Sequence, residues 1–164
     1  MSNPVERFLI GELPPEADSR LHQLHAYWTS IRPDSQRLPS RQHFDPIAVP
    51  SLLPHIWLLD IARDPLRFRY RLIGTEIARV MGRDYTGWWV DKVPGINRDG
   101  QSYAQITAVA ELGHVAFNAG RPTFRSERYD PWRERLLLPL TTTANQVDIV
   151  LAITVYRALQ TSDK

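Results

Sequence analysis

The chain contains no cysteine. That excludes disulfides, zinc–thiolate sites, iron–sulfur clusters and a flavin photosensor that works through a cysteine adduct. Lysine is nearly absent: Lys92 and Lys164 are the only two among 20 basic residues. The arginines that make up the rest suit planar pairing with carboxylates and stacking on aromatics, although compositional bias alone yields the same excess. Glycine is sparse, 8 residues against 13 prolines, so the connections are stiff rather than linker-like. No apolar run approaches membrane-spanning length, and the N-terminus lacks the basic-then-apolar pattern of a secretory signal. A cytoplasmic location is therefore the expectation. A net charge of +2 gives no footing for a nucleic-acid or membrane partner. There is no Gly-x-Ser-x-Gly elbow, phosphate loop, His-Glu-x-x-His motif or dinucleotide fingerprint, so the expectation is a protein without catalytic activity.

What is present suits one α+β domain in 164 residues. Residues 1–16 read as a flexible N-terminal arm carrying a small apolar knot at Phe8, Leu9 and Ile10. Ala17–Ile31 reads as an amphipathic helix, with Leu21, Leu24, His25, Trp28 and Ile31 on one stripe and Pro33 ending it. Pro46, Pro50 and Pro54 pace a connection of single-turn helices. Ile56–Ala62 and Arg67–Ile73 read as a hairpin turning at Asp64-Pro65. In its second strand Phe68, Tyr70 and Leu72 alternate with Arg67, Arg69 and Arg71.

The period then changes. Thr75 is placed to cap a short helix that Gly82 closes in a left-handed turn. A turn at Asp84–Gly87 and a tryptophan pair follow. Asn97–Ala119 reads as the longest helix, with Tyr103, Ile106, Ala110, His114 and Phe117 on one face. Pro122–Tyr129, Glu134–Thr142 and Val147–Tyr156 read as strands, the last apolar on both faces. The domain thus spans 17–157, with a short tail at 158–164.

The element order, with the segments PSLLPHIWLLDI, RFRYRLIGTEIARVMGRDYTGWW and RLLLPLTTTANQVDIVLAI, resembles that of the proteobacterial family of small stand-alone PAS proteins. The likeness runs from about Arg20 to Arg157. It implies a five-stranded antiparallel sheet, helices on one face enclosing a small pocket, and the N-terminal helix on the other face or at a dimer interface. It also implies a cytoplasmic sensor or adaptor in signal transduction, homodimeric, that signals through a partner protein because no output domain is attached.

The sites follow from that frame. The pocket is expected from Tyr70, Leu72, Thr75, Val80, Met81, Ile106, His114, Leu136, Leu138, Leu151 and Ile153, holding a small apolar or amphipathic molecule. The competing reading is a filled core, which leaves a pure dimerisation module. The interface is expected at Leu21, Leu24, His25, Trp28 and Ile31. His114 offers an axial ligand for haem, but a core histidine bonded to a backbone carbonyl is favoured, so no cofactor is assigned. His22 with His25, and His43 with Asp45, lack the further ligands a metal needs. The three strand arginines read as a solvated face, or one paired with Glu127 or Glu134. A small α+β enzyme using Asp60 or His114 is the third alternative, Asp60 being read as a buried carboxylate with a raised pKa.

Overall fold

A computed structural model describes residues 7–121, 131–143 and 146–158. Six antiparallel strands form one sheet: β1 (Arg7–Ile10), β2 (Ile56–Ala62), β3 (Arg67–Ile73), β4 (Ala116–Gly120), β5 (Pro131–Leu140) and β6 (Ile149–Ala158). Their order across the sheet is β1-β4-β5-β6-β2-β3. The helices are α1 (Ser19–Ser30), α2 (Thr75–Met81) and α3 (Gln101–Leu112). Among the described residues no helix is long and apolar enough to cross a membrane.

Both faces of the sheet are covered, as the doubly apolar β6 demands. Ile149, Leu151, Ile153 and Val155 join Leu136, Leu138 and Leu140 of β5 in a layer under α1. Val150 and Ala152 face the opposite layer, built by α2, α3 and the segment between them. In α1 the Asp18 carboxylate caps the start by accepting from the Arg20 N–H at 2.9 Å. Leu21, Leu24 and Trp28 recur at helical spacing and are buried. The Trp28 indole donates to Pro139 O at 3.0 Å, tying α1 to the middle of the sheet.

Two of the three spaced prolines start turns, while Pro54 lies inside the second of them. Pro46 and Pro50 start the 3-10 turns Pro46–Ala48 and Pro50–His55. The second of these presses against Gly74, where an added Cβ would lie 2.4 Å from Pro54 O and 2.5 Å from Leu53 O. Both obstacles are backbone atoms, so only glycine admits this approach. Gly74, and not Thr75, is the N-cap of α2, while Gly82 closes it at φ 87°.

Four features differ from the sequence reading. Residues 7–10 are not a loose arm but an edge strand paired with β4. The long helix stops at Leu112, because Gly113 takes a left-handed φ of 69° and donates its N–H to Val109 O. The residues expected as its last turn and its close, Ala116–Gly120, form β4, which with β1 gives the sheet six strands among the described residues and not the expected five. The strand expected at Pro122–Tyr129 lies outside the described residues. Finally, Leu59 pairs with Tyr70 but Leu58 pairs with Leu72, which leaves Arg71 as the extra residue of a bulge.

Candidate functional site: a buried arginine chamber

Strand parity builds the site. Because Leu136 and Leu138 of β5 face α1, Arg133 and Arg135 must point the other way. They lie beside Tyr156 and Thr154 of β6. Trp57 of β2 and Tyr70 of β3 continue the floor. Ile77 and Met81 of α2, Ile96, and Ser102 and Ile106 of α3 form the walls. These residues line a partly open cavity of about 40 Å³. On that measure a water needs roughly 10–15 Å³, so the space fits a group of a few heavy atoms.

Two guanidiniums share this interior. Arg133 is 7% exposed and Arg135 is 4% exposed, although arginine is seldom buried unless paired. Arg133 Nη2 donates to Ser102 Oγ at 3.2 Å. Arg135 Nη2 donates to Gln105 Oε1, while its Nε reaches no acceptor. Among the described residues no carboxylate forms an ion pair with Arg135. Its Cζ stands 5.9 Å from the Trp57 ring centroid, a partial compensation at best. Burial first, and the neighbouring Arg133 charge second, push the Arg135 guanidinium well below its usual value. Burial also pushes the Tyr70 hydroxyl up to about 12, so it stays a neutral donor. The Trp57 indole is satisfied by Thr154 Oγ1 at 2.8 Å. Among the described residues no His, Asp, Glu, Lys or Cys lines the cavity.

Of the expected pocket residues, Tyr70, Met81 and Ile106 line this cavity. Val80 is buried on α2 but does not line the cavity. The others are elsewhere. Leu136, Leu138, Leu151 and Ile153 belong to the layer under α1, because β5 and β6 present their opposite parity to the chamber. The bulge at Arg71 turns Leu72 to the other side, where it is 43% exposed. Thr75 is exposed on α2. His114 follows the glycine that ends α3 and is exposed, outside the lining of this cavity. Arg133, Arg135, Ser102 and Gln105 are not among the residues the sequence reading expects. The available signal was positional: Ser102 and Gln105 share a helical face with Val109, and Arg133 and Arg135 share strand parity with Leu137.

The remaining candidates take structural roles. Leu21, Leu24 and Trp28, expected at a dimer interface, are core against this chain's own sheet. Ile31 packs at the edge of that core, and His25 stacks on Trp28 at 6.0 Å. His22 Nε2 is bonded to Pro14 O at 3.0 Å. Among the described residues no three His, Cys, Asp or Glu are placed to hold a metal ion. Asp60 is not buried, being 44% exposed in its side chain and paired with Arg71 at 3.0 Å.

The arginine stripe of β3 is paired, among the described residues with partners other than Glu134, while Glu127 lies outside them. Arg67 grips Asp91 at 2.8 and 3.1 Å and stacks over Trp89 at 4.1 Å. Arg69 donates to Gly87 O at 2.9 Å. The stripe therefore fastens the tryptophan turn, whose Asp84 accepts from Thr86 N at 2.9 Å. Glu134 instead accepts from the Asp18 N–H.

Arg67 beside Asp91, with Arg98 on its other side, holds that carboxyl down at about 2. An unfolded aspartate titrates near ~3.9. The stabilisation from this clamp is therefore present above about pH 4 and is lost as pH falls toward 2. Urea midpoints measured at pH 5 and pH 2.5 should differ less in Asp91→Asn than in the parent. An equal drop in both would show that the clamp contributes nothing.

Larger clefts lie on the surface. One of about 670 Å³ runs between Arg37, Arg63, Glu111 and Leu112, all exposed. A second, of about 400 Å³, is an apolar groove beside Leu72. Neither is lined by a charged residue as buried as Arg133 or Arg135, which is what distinguishes the inner chamber.

The PAS domain matches residues 17–155 of the chain. Among solved structures, an RNA-binding light-oxygen-voltage receptor superimposes with a TM-score of 0.51 at 15% sequence identity, covering 93% of this chain and 39% of that one. The chain thus spans well under half of that receptor, and at this identity the likeness concerns the fold alone. No curated protein matches. With the match extending over most of its length, and with one antiparallel sheet carrying α2 and α3 over a small inner chamber, the chain belongs to the PAS domain family.

Proposed function

We propose that this protein is a non-enzymatic PAS sensor that takes a small ligand into the chamber between α3 and β5 and passes the signal to a partner protein. A sensory or interaction role is what the PAS domain itself supports. The observation that favours ligand binding over a filled core is the pair of buried arginines on an otherwise apolar-walled cavity. A core selected for packing alone has no use for a guanidinium that burial penalises. Ligand sites are mostly apolar with a few convergent polar groups, and Trp57, Ile77 and Ile106 beside Arg135 and Ser102 have that character. Binding would change the packing of α3, through Ser102 and Ile106, against the sheet. That is a route from chamber to surface.

The test is mass spectrometry of the undenatured protein, followed by a thermal-shift screen of small polar and charged molecules. Bound mass released on denaturation, or a saturable rise in melting temperature, supports the sensor reading. A protein with no bound mass and no response across the screen overturns it in favour of an interaction module.

A further inference from the structure

We infer that the chamber ligand carries a negative charge: a small monoanion of the size of nitrate or formate, held by the guanidinium of Arg135. The inference rests on the chamber being a ligand site and names the class of ligand it takes.

The two guanidiniums facing the cavity are donors only, and the hydroxyls beside them can donate as well as accept. Arg135 brings a guanidinium with Nε uncommitted, and Arg133 brings a second positive charge to the same wall. The Tyr70 hydroxyl is held neutral by burial. The Ser102 hydroxyl already accepts from Arg133, which leaves its own proton to give. Gln105 Oε1 is the one strong acceptor on Arg135, and a neutral amide oxygen cannot balance a buried cation. Among the described residues no carboxylate reaches Arg135, so a bound anion is the counter-charge this inference assigns to it. A guanidinium presents its donors in a planar fork that matches planar oxyanions. The low dielectric of the site strengthens that match and excludes neutral competitors that leave the charge unbalanced. A cavity of about 40 Å³ limits the anion to a few heavy atoms.

The test is thermal unfolding of the whole chain in nitrate, formate, acetate and chloride, each exchanged at constant ionic strength against a bulky sulfonate. Formamide and acetamide serve as neutral counterparts. Wild type should show a saturable rise in melting temperature with nitrate or formate and none with formamide. Arg135→Met should weaken the apparent affinity at least tenfold. Arg135→Lys, which keeps the charge and loses the fork, should retain a weaker response. Arg79→Gln, on the exposed side of α2, should respond like the parent. Equal responses in wild type and Arg135→Met would overturn the assignment to Arg135, and the lysine variant decides the matter should the methionine variant not fold. Stabilisation by the amides alone would overturn the anion inference and leave the chamber as a ligand site. No saturable response to any of the six would overturn both.

Discussion

Arg135→Met should unfold at a higher temperature than the parent in a buffer free of small anions. Arg135 is 4% exposed, has no carboxylate partner among the described residues, and leaves Nε without an acceptor. Replacing buried charged groups by apolar side chains of similar reach is often neutral or stabilising, by roughly 1–4 kcal/mol. Against this stands the Gln105 carbonyl, which loses its donor at a cost of about 1–3 kcal/mol. The desolvation of a full charge is the larger effect, so the net expectation is a gain. For a chain of this size, each kcal/mol moves the midpoint by about 2–4 °C. Adding nitrate should close the gap, since a ligand that binds only the folded parent stabilises it in proportion to RT ln(1 + [L]/Kd). A variant less stable than the parent without anions would mean that the Gln105 bond outweighs desolvation, and the chamber would then be ordinary core.

Trp28→Ala should be the most damaging single change in α1. The indole is 4% exposed, packs in the layer with Leu136, Leu138 and Leu151, and donates to Pro139 O at 3.0 Å. Truncating a buried tryptophan costs about 3–5 kcal/mol, and the carbonyl left behind adds to that. Denaturant unfolding at two protein concentrations checks the location as well as the size of the effect. A loss independent of concentration places Trp28 in the core of one chain. A loss that appears only at low concentration, or an intact fold with altered assembly, would return α1 to an interface between copies.

Much of this fold is legible in the sequence because the chain punctuates itself. Pro33 ends α1, Asp64-Pro65 separates β2 from β3, and Gly82 closes α2, each by local backbone preference. The elements that escape are those whose identity depends on distant partners. Ala116–Gly120 continues a helical pattern well enough, and only the left-handed φ of Gly113 breaks it. Arg7–Ile10 is four residues of strand that mean nothing until β4 lies beside them. The chamber was misread for a related reason. In β5 and β6 both parities are apolar, so Leu136 and Leu151 fit a pocket wall as well as Leu137 and Val150 do. Which parity faces α3 is settled by register across the sheet, not by either strand alone. Leu72 followed the alternation of Phe68 and Tyr70 until the bulge at Arg71 reversed it. The buried arginines were hidden by the usual expectation that charge points to solvent. That expectation fails where a central strand has no solvent face.

The most direct measurement is the anomalous difference map of the protein crystallised in bromide. A peak within hydrogen-bonding reach of Arg135 Nε, lost in Arg135→Met crystals while bromide peaks elsewhere on the molecule persist, is the expected result. Bromide at surface arginines such as Arg79 and none in the chamber between Arg135, Ser102 and Tyr70 would contradict it.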